Sequence, residues 1–216
     1  MLWSEEAWLA AEPIYNKILE LPFIKELSEG TLPRDKFMFY ITQDKLYLDN
    51  YARVLAHVAS RLRRADHMEA FLNYALGGVE MERALHKSFL GDNGVGDARP
   101  TPTCLLYNAY EAAKGLGPVE IEAASILPCF SVYQKVGTHI LNTSDISDAN
   151  PYRAWIKAYS DPYMEQSTRE AVQICDELAA QTSEEIRRGM TDAFVMATRM
   201  EWMFWDSAYR MEQWPV

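Results

Sequence analysis

Three side chains in this chain combine reactive chemistry with an apolar setting: Asp44, Cys129 and Glu201. Asp44 stands three, four and seven residues from Tyr40, Tyr47, Leu48 and Tyr51, so a helix carries all five on one face. That face is the apolar one, where an acid is costly unless paired or hydrogen-bonded. Two readings stay open: a buried Asp tied to a tyrosine hydroxyl or an arginine, or a carboxylate that anchors a flat, nitrogen-rich ring. Glu201 shares a helix face with Phe204, Trp205 and Ala208. A buried Glu has a raised pKa and suits general acid or base work near neutrality; the alternative is an aromatic core stripe with Glu201 at its edge. Cys129 lies in Leu127-Pro128-Cys129-Phe130-Ser131-Val132-Tyr133, one turn from Tyr133. Free cysteines are usually inert core residues, but Pro128 removes a backbone hydrogen bond and distorts its turn, which can expose a thiol. Cys175 sits in an ordinary amphipathic helix, and the position of Cys104 near a helix start predicts a lowered thiol pKa.

The elements that must carry these residues are helices. Ser4-Glu5-Glu6 reads as an N-cap opening a helix to about residue 20, with Pro13 placed to kink it. A short helix follows Pro22 and stops near Gly30. Pro33 opens a long helix over about 34–62 whose apolar positions recur at three- and four-residue steps. A second long helix is predicted over about 66–89, interrupted by Gly77-Gly78, which calls for a bend or close packing. The stretch 91–102 reads as a loop. Further helices are predicted over about 103–114, 119–141, 152–159, 162–181 and 184–211, with a polar loop over 145–151 and Asp161 and Thr182-Ser183 as start signals. No alternating strand pattern bounded by turns is present. The reading is one all-α domain over 1–216, a bundle of about seven to nine helices.

Composition agrees with a soluble enzyme-sized domain. Hydrophobic residues make up 49% of 216, enough for a sizeable core. The net charge of −10 and a densest basic cluster of only Arg61, Arg63 and Arg64 argue against nucleic acid and an anionic membrane as partners. No apolar stretch has the length of a membrane span, and the N-terminus lacks the features of a signal peptide. Three cysteines, an odd and sparse set, point to a reducing, cytoplasmic compartment. None of the four histidines follows a Glu at the Glu-x-x-His spacing of di-metal bundles; Glu82 and His86 are four apart and read as a surface or hydrogen-bonded pair. No metal or other cofactor is expected, and no phosphate-binding or dinucleotide glycine fingerprint occurs.

Four segments in order resemble the TenA / thiaminase II family: Phe39-Tyr40-Ile41-Thr42-Gln43-Asp44-Lys45-Leu46-Tyr47-Leu48; Leu127-Pro128-Cys129 with Tyr133 and Gly137; Tyr152-Arg153-Ala154-Trp155-Ile156 with Tyr159; and Glu201 with Phe204-Trp205-Asp206. The resemblance implies a haem-oxygenase-like multi-helix bundle that binds no haem, assembled as a homotetramer. It implies hydrolysis of aminopyrimidines such as 4-amino-5-aminomethyl-2-methylpyrimidine to the hydroxymethyl pyrimidine in thiamine salvage, and cleavage of thiamine itself. By resemblance Cys129 is the nucleophile, Glu201 the general acid/base, and Asp44 the holder of the pyrimidine's amino group and ring nitrogen. Tyr47, Tyr107, Tyr133, Tyr159 and Phe204 match pocket aromatics. Asn108 stands where threonine is commoner, and Phe130 replaces a more usual tyrosine or tryptophan. A non-catalytic pyrimidine-binding or regulatory protein on the same scaffold is the alternative, and a helix-bundle metal or haem oxidoreductase a third reading.

Overall fold

Prolines mark where many of the helices begin. Pro22, Pro102 and Pro162 each occupy the first position of a helix, where the missing N–H has no intrahelical partner to lose. Pro33 and Pro118 sit one residue earlier, as caps. The computed structural model describes residues 1–90, 96–144 and 149–216; within 79–90 it describes the side chains of Lys87 and Phe89. Among the described residues there are nine helices and no strand: α1 Trp3–Leu19, α2 Pro22–Glu29, α3 Arg34–Arg61, α4 Ala65–Leu90, α5 Pro102–Lys114, α6 Val119–Thr143, α7 Arg153–Tyr159, α8 Pro162–Ala180 and α9 Glu184–Tyr209. Residues 91–95 of the expected 91–102 loop, residues 145–148 of the next, and the Glu82–His86 pair lie outside what is described. None of the described helices is long and apolar enough to cross a membrane.

Most predicted boundaries hold within two residues. The cap of α1 is not the expected one. The helix begins at Trp3 with Leu2 as its cap, and Ser4 is already helical. Ser4 is drawn away by Asp176, which accepts from its backbone N–H at 2.7 Å and its hydroxyl at 2.8 Å. A tertiary contact between α1 and α8 overrides the local capping signal. Asp161 and Ser183 do cap, accepting from Tyr163 N at 2.8 Å and Ile186 N at 3.3 Å. Gly77-Gly78 does not break α4; close packing is seen at Gly77, where a Cβ would lie 3.0 Å from the Tyr163 hydroxyl, and not at Gly78, where a Cβ would meet nothing within 4 Å.

The bundle packs α3 on α4 and α5, and α9 on α1 and α6, with α6 also covered by α7 and α8. Among the described residues a single hydrophobic cluster runs through it, from Trp3 and Phe194 to Phe37, Tyr40 and Trp155. Two polar devices fix the frame around its centre. Glu122, 1% exposed, accepts from Arg61 and contacts His57 Nδ1 at 2.6 Å, and Arg61 also donates to the carbonyls of Gly115 and Gly117. This ties the end of α3 to the start of α6. Gln43 donates to the Arg99 carbonyl at 3.1 Å and accepts from Thr101 N at 2.9 Å. It thereby holds the start of α5 against the middle of α3.

Gly137 lets α6 touch α7. A Cβ there would sit 2.8–2.9 Å from the backbone carbon and oxygen and the Cβ of Tyr159. Backbone on both sides cannot yield as a flexible side chain would, and overpacking of this kind costs about 1–3 kcal/mol. Gly137→Ala is expected to lower the melting temperature by roughly 3–10 °C, read by calorimetry. An unchanged transition would show that α6 and α7 leave room for a methyl group at this position.

Candidate active site

The central helices turn an unusual number of aromatic and acidic side chains inward. From α3 come Tyr40, Asp44, Tyr47 and Tyr51; from α5, Tyr107 and Glu111; from α6, Cys129, Phe130 and Tyr133; from α7, Trp155 and Tyr159; from α9, Glu201, Phe204 and Trp205. The apolar spacing seen in α3 puts Asp44 inside at 1% exposure, and Glu201 is likewise 1% exposed.

Part of this set borders a cleft. Asp44, Tyr51, Cys129, Phe130, Tyr133 and Tyr159 border it, with Tyr74, Gly77, Tyr163, Met164 and Ser167 closing the side toward α4 and α8. Cys129 is half-buried. The turn that presents it contains Pro128 within α6, as the sequence suggested. Tyr47, Tyr107, Phe204 and Glu201 form the layer behind this surface. Tyr47 stacks on Tyr107 with ring centroids 4.7 Å apart and planes at 30°, and on Tyr51 at 5.5 Å and 25°. Phe204 contacts the Tyr40 and Tyr47 rings. On the opposite wall Tyr133 packs against Tyr159 at 5.0 Å and Trp205 at 4.7 Å.

The hydroxyls of the inner layer are tied to acids. Tyr107 donates to Glu201 Oε1 at 2.8 Å, and Tyr47 Oη lies 2.8 Å from Glu111 Oε1. Glu201 is therefore within the core beside a phenol, not at the rim of an aromatic stripe. Burial, with a smaller contribution from Asp44, pushes the Glu201 carboxyl up to about 8 against the pull of the Tyr107 bond. The Cys129 thiol is held well above its ordinary range, first by burial and then by Glu201, Glu111 and Asp44, while a hydrogen bond from Tyr47 opposes the shift. At neutral pH the site thus holds a neutral thiol and a largely protonated Glu201.

Most of the residues singled out from the sequence converge on this cleft or its backing layer. The expectation for Cys104 fails. It is fully buried, and burial together with Asp44, Glu111 and Glu212 pushes its thiol up to about 12, the reverse of the lowering expected near a helix start. Its helix begins under the Thr101 side chain, which accepts from Cys104 N at 3.3 Å, so desolvation outweighs the helix terminus. Cys175 is buried and its thiol is raised as well. Glu111 and Tyr74 were missed. Glu111 falls one turn after Tyr107, and that spacing was the available signal. Among the described residues, no three His, Cys, Asp or Glu side chains converge as metal ligands would.

The architecture defines a class. Haem oxygenase-2 from Synechocystis sp. PCC 6803 matches with a TM-score of 0.66 and 12% identity, covering 96% of this chain and 85% of its own, so the bundle is of the haem-oxygenase-like type. Within that class the chain belongs to the TENA/THI-4/PQQC family, whose model matches residues 8–211. It is 32% identical to an aminopyrimidine aminohydrolase of Bacillus subtilis over 99% of this chain and 92% of that one. A TenA homologue protein from P. horikoshii OT3 is 26% identical, with a TM-score of 0.82 over 97% of this chain and 99% of its own.

Proposed function

We propose that the protein hydrolyses aminopyrimidines, releasing ammonia from 4-amino-5-aminomethyl-2-methylpyrimidine and forming the hydroxymethyl pyrimidine of thiamine salvage, with Cys129 as nucleophile. The observation that carries the proposal is the meeting, on one aromatic-walled cleft, of a thiol and a carboxyl from separate helices, Cys129 and Asp44, backed by Glu201. The family relationship and the similarity to the Bacillus subtilis aminohydrolase support the same reading.

Each residue has a part that its surroundings favour. Asp44 is a buried acid bordering an apolar cleft. It accepts from the exocyclic amino group, and from the adjacent ring nitrogen when that nitrogen carries a proton. Tyr133 and Tyr159 on one side and Phe130 on the other give the ring apolar faces and exclude water. The Cys129 sulfur adds to an electron-poor ring carbon. A ring nitrogen takes a proton from Glu201, and the thiol proton refills that carboxylate. Electrons returned from the ring then expel the amine from the methylene arm, and the proton held by the ring nitrogen passes to it, so that it leaves as ammonia. Water adds to the exposed methylene, giving up a proton, and the C–S bond breaks to restore the aromatic ring and the thiol. One hard displacement becomes a series of easier steps. The net change is amine plus water to alcohol plus ammonia.

Thiamine is proposed as a second substrate, since it carries the same pyrimidine and methylene arm on a better leaving group. A homotetramer is proposed as the assembled form; exposed Leu72, Leu76, Leu105 and Leu106 on α4 and α5 offer apolar surface for it. Three free thiols suit a cytoplasmic setting.

Incubation of the protein with the aminomethyl pyrimidine in ¹⁸O-labelled water tests the reaction. The expected product is the hydroxymethyl pyrimidine with one labelled oxygen, seen by mass spectrometry. Tight binding without any product would favour a pyrimidine-binding protein instead.

A further inference from the structure

The cleft has a buried end and an open one, and the chemistry above uses the buried end. Asp44, Tyr51, Tyr133 and Tyr159 are buried there. The open end is lined by Gly77 and Gly78 of α4 with Tyr163 and Met164 of α8, and Tyr163 is 56% exposed. Ammonia, a single nitrogen, makes no use of this mouth. With the pyrimidine held at the buried end, a larger group on its arm has the mouth to occupy.

Gly78 holds the place of an inward-facing side chain. His67, Phe71 and Tyr74 are buried along α4, and the same steps of four and three lead on to Gly78. At that place a Cβ would meet nothing within 4 Å among the described residues, and the glycine is exposed. The buried stripe of α4 thus opens onto the cleft where its next side chain is missing. Gly77 differs. A Cβ there would lie 3.0 Å from the Tyr163 hydroxyl, so Gly77 serves the approach of α4 to α8 and Gly78 leaves space beside it. The walls of this space are tied together. Tyr74 donates to Glu170 Oε2 at 2.6 Å, linking α4 to α8, and its ring packs edge-on against Phe130 with centroids 5.3 Å apart.

We propose that Gly78 is a specificity-determining residue: the side chain it lacks leaves a subsite for the leaving group, which admits a flat aromatic ring carried on the arm nitrogen of an aminopyrimidine. Tyr163 and Met164 give such a ring apolar surface. The reaction is the same in kind. The methylene C–N bond breaks, water supplies the hydroxyl to the methylene and a hydrogen to the departing nitrogen, and a larger amine leaves in place of ammonia. The second ring of thiamine belongs to the same size class. This deepens the hydrolase reading and rests on it.

The experiment compares 4-amino-5-aminomethyl-2-methylpyrimidine with its N-benzyl derivative. Benzylamine is nearly as basic as ammonia, so the ratio of the two kcat/KM values reads the size of the leaving group and not its chemistry. Wild type is expected to hydrolyse both with comparable kcat/KM. Gly78→Leu places a side chain in the opening and is expected to lower the benzyl-to-parent ratio by about tenfold or more, the effect of an overpacked contact; Gly78→Ala is expected to lower it less. Loss of folded protein lowers both activities together and leaves the ratio unmoved. A wild type that cleaves the parent and refuses the benzyl compound, or a Gly78→Leu ratio equal to that of wild type, would overturn the proposal. Leucine is a better helix former than glycine at this exposed helical position; should Gly78→Leu fail to fold, the ratio in Gly78→Ala decides. If wild type turns over neither compound, the hydrolase reading falls and calorimetric binding of the same two compounds decides the subsite. A benzyl affinity that Gly78→Leu lowers by about tenfold relative to the parent supports it, and an unaltered ratio or no binding of the benzyl compound overturns it.

Discussion

Glu201→Gln is expected to lose about 10²- to 10⁴-fold in kcat, the usual worth of a general acid or base, while gaining stability at alkaline pH. Both effects come from the same environment. The carboxyl is buried on α9, bonded to Tyr107 and raised to about 8 from an ordinary value of 4.5. A proton donor near neutrality suits ring-nitrogen protonation, and the amide cannot supply one. The stability change has a definite sign. A carboxyl whose pKa is raised on folding binds its proton more tightly in the native state. Its contribution is fully present below about pH 4.5 and is lost as pH rises through about 8. The amide does not titrate, so the variant's melting temperature is expected to match or trail wild type near pH 4 and to exceed it increasingly toward pH 9. The fully developed difference is about 3–5 kcal/mol. Gln also keeps an oxygen to accept from Tyr107, which isolates the charge. A variant that loses activity and shows no pH-dependent gain would mean that Glu201 is ionised in the native protein and not poised as an acid.

Much of the site lies in the sequence as helical spacing. The steps of three and four around Asp44 and around Glu201 place both acids on apolar faces without knowledge of the fold, while the burial of Glu201 at 1% exposure, in place of the edge of its stripe, comes from the packing of α9. Gly137 was visible only as part of a motif; its cause, the backbone of Tyr159 against it, is a contact between two helices that no local pattern encodes. Ser4 shows the opposite error, a sound capping signal defeated by Asp176 from far along the chain. Cys104 misled for a related reason. Its position near a helix start is readable, whereas its burial among Asp44, Glu111 and Glu212 depends on how α3, α5 and the C-terminal residues meet. Glu111 was legible as a turn-spaced partner of Tyr107, but an acid on an amphipathic helix ordinarily faces water, and only the fold turns it toward Tyr47.

The second large effect concerns Cys129. Serine at this position keeps the size and the half-buried setting of the side chain, so the bundle and the pyrimidine-binding walls are expected to persist. The reaction is not. An alcohol is far less acidic than a thiol, and the nearby carboxyls Glu201, Glu111 and Asp44 all raise the cost of an anion. A sulfur nucleophile also leaves the ring again readily, which an alkoxide does not. Removal of a covalent nucleophile is expected to cost roughly a thousandfold or more in kcat, with smaller change in substrate affinity.

Ammonia release from 4-amino-5-aminomethyl-2-methylpyrimidine, measured side by side for wild type and Cys129→Ser at matched protein concentration and confirmed folding, tests this most directly. Sustained release by wild type and a fall of roughly a thousandfold or more in the variant is the expected result. Release that continues undiminished in Cys129→Ser would contradict a covalent route through that sulfur, and no release by wild type from this compound or from thiamine would contradict the hydrolase itself.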